Sequence, residues 1–182
     1  NRGVELKRLI GNEKLFSYFS SFRRTRETYT EIHNTFEPGQ LTYREDPRLR
    51  EQEWGTGLSA FDAEQEARRE AYGHFYYRFT GGESCADVYD RTSTFLDTMF
   101  RDFSKDNFPE NCAIISHGMQ IRVFLMRWFR MTVEEFEMLK NPRNCQAIIM
   151  TKKADGKYQL NQPLEQHREP LHKFQFPLKL RH

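Results

Sequence analysis

The sequence predicts an α/β fold, and three observations carry that prediction. Short apolar or aromatic runs alternate with longer helix-forming stretches along most of the 182 residues, the order that builds a sheet covered by helices. Turn-forming residues separate the segments at Ser20-Ser21, Pro38-Gly39 and Gly81-Gly82, and a loop with Pro109 runs from Asn107 to Asn111. An apolar fraction of 37% that includes 16 Phe and 8 Tyr suits one hydrophobic core in a chain of this length. From element order alone the sheet is expected to be of mixed direction. One domain is expected over residues 1–160, followed by a loosely packed tail at 161–182 that holds three prolines and few periodic positions.

Residues 1–13 are short and polar, and Val4-Glu-Leu6 runs into Lys-Arg-Leu-Ile with no turn signal. Leu15 to Phe19 alternates large with small or polar residues and reads as a strand. Arg23 to Thr35 reads as a helix, with Thr28 and Ile32 four apart. Leu41 to Tyr43 is a second short strand, and Asp46 to Glu51 leads as a loop into Trp54-Gly55. Residues 59–72 are charge-rich and proline-free, which favours a helix. The aromatic cluster His74, Phe75, Tyr76, Tyr77 and Phe79 suits either buried core or a cap over a pocket.

Ser84 followed by Asp87 has the form of a capping box and opens a helix with Val88, Phe95, Leu96, Met99 and Phe103 on one face. Cys112-Ala-Ile-Ile-Ser-His117-Gly118 is an apolar strand that stops at a histidine and a glycine before the helical run Met119 to Met131. Thr132 and Glu135 repeat the capping logic for a helix ending near Lys140-Asn-Pro142. Gln146 to Thr151 reads as a strand, and Ala154-Asp155-Gly156 as the turn of a hairpin into Lys157 to Leu160.

A net charge of +2 with interspersed signs gives no field that argues for nucleic acid or a membrane surface. No apolar run approaches the length of about 18 residues that a membrane span requires, and the first residues do not form a signal peptide. Cys85, Cys112 and Cys145 lack metal-ligand spacing. Free thiols in a reducing compartment, the cytoplasm, are the expectation, with no metal and no cofactor.

The chemistry concentrates in three segments. A strand that ends at His117-Gly118 just before a helix puts an imidazole where backbone N–H groups and the positive helix end converge, a place suited to phosphate. The same dipeptide also suits a satisfied histidine at a strand end. Arg23, Arg24 and Arg26 follow a strand at a helix start, where guanidinium forks can hold phosphate oxygens bidentately, or can form a solvated face. Glu51 offers a carboxylate in an arginine-rich loop, a proton donor if the fold brings it close.

Together these segments resemble the histidine phosphatase superfamily, the phosphoglycerate mutase-like fold. The resemblance covers about residues 15–151. The Ser-x-x-x-Arg-(small)-x-x-Thr motif lies over Ser20, Arg24, Thr25 and Thr28. Arg-Leu-x-Glu-x-x-x-Gly lies over Arg48, Leu49, Glu51 and Gly55, and the second-histidine motif over Ser116, His117 and Gly118. Gly82-Glu83-Ser84 precedes the helix with Arg91 as it does in that family.

The resemblance implies a three-layer α/β/α sandwich with a mostly parallel central sheet, and a phosphomonoester hydrolase that works through a phosphohistidine without metal. It assigns His117, Arg24 and Glu51 to catalysis. Ser20, Arg23 and the backbone N–H groups of Gly118 and Met119 would bind a small phosphorylated substrate. It admits a homodimer. The family's nucleophilic histidine sits in an Arg-His-Gly motif that these 182 residues do not contain; the expectation is that the natural protein has it, in a first strand and first helix mostly missing here. The short interval from Gly55 to Gly82 favours hydrolysis over mutase-type transfer, since cofactor-dependent mutases of the family carry a long insertion there. The run from Phe75 to Ser84 most resembles the broad-range acid phosphatase branch. Mutase chemistry and a non-catalytic phosphoester- or protein-binding member remain the alternatives.

Overall fold

A computed structural model describes residues 2–55 and 63–168. Its organising element is a three-stranded parallel sheet in the order β2-β1-β3, built from β1 (Leu15–Phe19), β2 (Leu41–Glu45) and β3 (Asn111–Ile115). The expected mixed direction is corrected. The antiparallel pair β4 (Met150–Lys152) and β5 (Tyr158–Leu160) forms a separate ribbon. Parallel neighbours require crossovers. Helix α2 (Arg23–His33) links β1 to β2, and α3 (Ala63–Tyr72) and α4 (Cys85–Phe103) lie between β2 and β3.

The residues of β1 face two cores in turn. Leu15 and Phe19 pack with Tyr29, Ile32 and Phe36 from α2 and the turn after it, and with Ile10 of α1 (Arg2–Ile10). Phe16 and Tyr18 point the other way, toward Phe95, Leu96 and Met99 of α4 and Phe124 and Leu125 of α5 (Gly118–Phe129). Helices on both faces make the three-layer α/β/α sandwich. They also explain why β1 is buried on both sides instead of showing the one-sided alternation of a surface strand. A third cluster joins α4 and α5 to α6 (Val133–Met138) through Val88, Val123, Met126 and Phe136. Phe75 belongs to it, which places that member of the aromatic run in the core.

Several boundaries move for identifiable reasons. Arg2–Ile10 is a helix, where the sequence showed only an abrupt polar start, because Ile10 and Leu6 pack into the α2 core. On α2 the buried face is Thr25, Tyr29 and Ile32. Thr28 instead donates back to the Arg24 carbonyl. A 3₁₀ turn, Pro47–Leu49, replaces part of the expected loop, capped by Asp46, whose side chain accepts the Arg48 N–H. Helix α5 stops at Phe129 because Arg130 adopts a left-handed conformation with φ 56°.

The strand expected over Gln146–Thr151 is confined to its end. Strands exist only where partners exist, and β5 is three residues long. Both capping boxes form as read, Ser84 with Asp87 and Thr132 with Glu135. The first four positions of the helix expected at 59–72, and tail residues 169–182, lie outside the described residues. Of the tail, Leu164 packs on the α4–α5 core, and His167 donates its N–H to the Met138 carbonyl at 2.8 Å.

One ionic knot centred on the buried Asp102 fastens the sheet to α4. Tyr18 donates to Asp102 at 2.6 Å, Arg44 reaches the same oxygen at 2.7 Å, and Lys105 bonds the other at 2.5 Å. Burial by itself raises the Asp102 pKa, but the bonds from Lys105 and Tyr18 and the charge of Arg44 outweigh it and hold the carboxyl below its ordinary value. A carboxyl with a lowered folded pKa stabilises the fold above the unfolded pKa of about 4, and that contribution is lost as pH falls through the folded value. Asp102→Asn is therefore expected to cost about 1–3 kcal/mol at pH 7, a difference that shrinks as the solution is acidified toward the folded pKa. Urea unfolding of both proteins across this range measures it, and a gap independent of pH would show that the carboxylate charge plays no part.

Candidate active site

All three parallel strands run in one direction, so their carboxyl ends share one edge of the sheet, and each is followed by one of the candidate motifs. Phe19 is in register with Ile115 and with Glu45. Ser20 continues the ladder by donating its N–H to the Ile115 carbonyl at 3.0 Å, and the Asp46 N–H meets the Phe19 carbonyl at 2.9 Å. Thus Ser20 and Arg24 after β1, the turn leading to Glu51 after β2, and Ser116-His117 after β3 converge. This is the edge where open parallel sheets bind ligands.

His117 caps α5 with its backbone but sends its ring elsewhere. The side chain makes no cap bond and is 5% exposed. Its Nδ1 accepts from Arg24 Nε at 3.0 Å, and its Nε2 lies 2.8 Å from Ser20 Oγ. An arginine can only donate, so Nδ1 is unprotonated, and the neutral ring carries its proton on Nε2, donated to Ser20. Phe22 sits edge-on to the imidazole and under the Arg24 guanidinium, 4.9 Å from its ring centre.

Burial, then the charges of Arg24 and Arg91, lower the His117 pKa to about 4. The unfolded chain takes up this proton near pH 6.5 and the folded site only near 4, so the group's contribution to stability declines as pH falls through that window. Imidazole ¹⁵N spectra of the unliganded protein are expected to show the Nε2–H tautomer at pH 6 and a charged ring only near pH 4. A midpoint near 6.5 would mean that the ring is solvated.

Glu51 occupies the helix end that the sequence reserved for an anion. Its Oε1 accepts the Gln120 N–H at 3.2 Å and its own neighbour Gln52's N–H at 3.0 Å; Oε2 lies 3.4 Å from the Met119 N. A carboxylate from another segment thereby takes up first-turn donors of α5 that have no partner within the helix. The Met119 N–H, expected to face substrate, faces Glu51 here. Gly118 begins the helix beside Asn141, whose Cγ would lie 3.3 Å from a Cβ at this position. Ser116 Oγ donates to the Leu49 carbonyl at 2.8 Å, which ties the third motif to the second.

Arg23 does not join the site. Its side chain is 92% exposed and bonded to Glu27, because consecutive residues on a helix point about 100° apart and it is Arg24, itself largely exposed, that turns toward His117. Arg26 is held bidentately by Glu45, and Arg48 by Asp46. Sequence reasoning noted Glu83 and Arg91 only as part of a family motif and left them, with Gln120, out of the site, although they surround the Glu51 loop. The readable signal was an arginine lying between Val88 and Phe95 on an apolar helix stripe.

Two glycines permit the close packing of this loop. A Cβ on Gly82 would lie 2.4 Å from the Glu53 carbonyl oxygen, and one on Gly55, at φ 86°, 2.3 Å from the Thr80 carbonyl oxygen. Among the described residues no group of three or more His, Cys, Asp or Glu could hold a metal ion, and no helix is long and apolar enough to cross a membrane.

Helices on both faces of a parallel sheet, with an imidazole, a guanidinium and a carboxylate gathered at the strand ends, define a three-layer α/β protein of the phosphoglycerate mutase-like type. The chain belongs to the histidine phosphatase superfamily (branch 1), whose family profile matches residues 5–162. It is 41% identical over 159 residues to the phosphoglycerate mutase-like protein AT74H of Arabidopsis thaliana, covering 81% of this chain and 55% of that protein. It is 42% identical over 116 residues to the broad-range acid phosphatase DET1 of Saccharomyces cerevisiae, covering 61% of this chain and 34% of that one. The chain thus spans about half the length of the Arabidopsis relative and about a third of the yeast one. A mycobacterial glucosyl-3-phosphoglycerate phosphatase solved with VO3 superposes with a TM-score of 0.69 at 20% identity, over 90% of this chain and 83% of that one, a likeness of fold.

Proposed function

We propose that this chain belongs to a phosphomonoesterase that works through a phosphohistidine intermediate without a metal ion. The observation that carries this reading is the clamp of His117 between Arg24 and Ser20 at the carboxyl edge of the sheet, with Glu51 seated on the same helix end. Arg24 and His117 supply donors for the equatorial oxygens of a transferring phosphoryl group. Glu51 gives a proton to the leaving oxygen as the P–O ester bond breaks, then takes one from the water that attacks the phosphoenzyme.

The attacking histidine is the one the family places in its Arg-His-Gly motif, which is not among these 182 residues. Attack by its ring nitrogen on phosphorus forms the N–P bond, and hydrolysis returns the histidine and inorganic phosphate. The name of the yeast relative and the short interval between Gly55 and Gly82 support hydrolysis over mutase-type transfer. A small phosphorylated molecule in the cytoplasm is the proposed substrate.

The full-length protein is expected to hydrolyse p-nitrophenyl phosphate from pH 4 to 8 with undiminished rate in EDTA. Acid quenching should be avoided in favour of alkaline trapping, which preserves the acid-labile phosphohistidine. Turnover abolished by chelator, or no phosphoprotein under single-turnover conditions, would overturn the reading.

A further inference from the structure

Arg91 interrupts the apolar stripe of α4, and its side chain is only 10% exposed. A buried guanidinium is costly unless its donors are met. Here they are met largely by the segment that carries Glu51. Nη1 donates to the Arg48 carbonyl at 2.6 Å and to Gln120 Oε1 at 2.6 Å; Nη2 donates to the Glu51 carbonyl at 3.2 Å and to Glu83 at 3.1 Å. Nε donates to the other Glu83 oxygen at 3.0 Å.

Glu83, itself 12% exposed, extends the grip along the same segment. Its carboxylate accepts from Arg50 at 2.5 Å and from the Glu53 N–H at 3.0 Å, and its carbonyl accepts from Gln52 Nε2 at 2.7 Å. Gln120 closes the circuit. Its side chain is held by Arg91 and donates to Thr92 at 2.9 Å, while its N–H is one of those on which the Glu51 carboxylate rests. One guanidinium therefore fixes both the root of Glu51 and the helix end that receives its carboxylate, without touching that carboxylate.

The geometry points to Arg91 and Glu83 as a positioning pair that sets Glu51 for proton transfer to the leaving group. This rests on the reading of Glu51 as the proton donor. Lysine cannot replace Arg91, because a point charge cannot span two carbonyls, an amide and a carboxylate as the planar fork does.

The test uses the full-length protein, the variants Arg91→Lys, Glu83→Gln and Glu51→Gln, and two substrates that differ in need of a proton. An alkyl phosphate such as glycerol phosphate expels an alkoxide and depends on a general acid; 2,4-dinitrophenyl phosphate expels a stable phenolate and does not. The positioning variants are expected to lower kcat/KM for glycerol phosphate by about 10²-fold, the scale of a misplaced catalytic group, and for the dinitrophenyl ester by less than about threefold. Thermal melting establishes that each variant is folded; Glu83→Gln, which keeps the shape but turns one of the two acceptor oxygens into a donor facing Arg91 or Arg50, carries the test if Arg91→Lys is not. Equal losses on both substrates in the positioning variants, with a selective loss in Glu51→Gln, would overturn the positioning role. Equal losses in Glu51→Gln would overturn the reading of Glu51 and the inference with it.

Discussion

His117→Ala is expected to reduce kcat/KM for aryl phosphate hydrolysis by the full-length protein by about 10²- to 10⁴-fold, the range for removing a preorganised donor or proton-transfer group. The size follows from where the ring sits. It is buried, its Nε2–H is aimed at Ser20, and its other nitrogen orients Arg24, so truncation removes one donor and releases a second. The loss should fall mainly on kcat, because the donors matter most where charge gathers on the transferring group. The variant should still fold, at a cost of about 1–3 kcal/mol for the partners left behind. Activity within about threefold of the parent protein would remove His117 from the mechanism.

Phe95→Ala should have the largest effect on stability, about 3–5 kcal/mol. Phe95 is fully buried, meets Tyr18 edge-on at 5.2 Å, and lies beneath the Arg48 guanidinium at 5.7 Å. Its removal opens a cavity where the sheet, α4 and the turn before Glu51 meet, and a fall in Tm of roughly 10 °C is expected for a domain of this size. Urea unfolding gives the free energy directly. A change below about 1 kcal/mol would mean that the site can collapse around the smaller side chain.

Local chemistry was legible in the sequence. Both capping boxes, the helix α4 stripe, the hairpin turn at Gly156 and strand β1 depend on residues within one or two turns of each other. The motif residues Ser20, Arg24, Glu51 and His117 were legible as well, because their spacing matches a family whose sheet brings them together. What was not legible is direction. Arg23 and Arg24 are adjacent and chemically alike, yet one meets His117 and the other solvent, a matter of helix phase relative to β3. The helix at Arg2–Ile10 was missed, and β4 was expected too long, because each depends on a distant partner, the α2 core in one case and the three-residue β5 in the other.

The sequence by itself determined the α/β class, the order of the elements and the residue types available for phosphoryl chemistry, since periodicity, caps and turn residues act over a few positions. Only the tertiary structure decided that the Glu51 carboxylate rests on the Met119 and Gln120 N–H groups, and that Arg91 is the hub behind them. The physical reason is that a hydrogen-bond partner is chosen by distance and angle in three dimensions. Residues 29 to 93 positions apart come within those limits only after the two faces of the sheet have been covered.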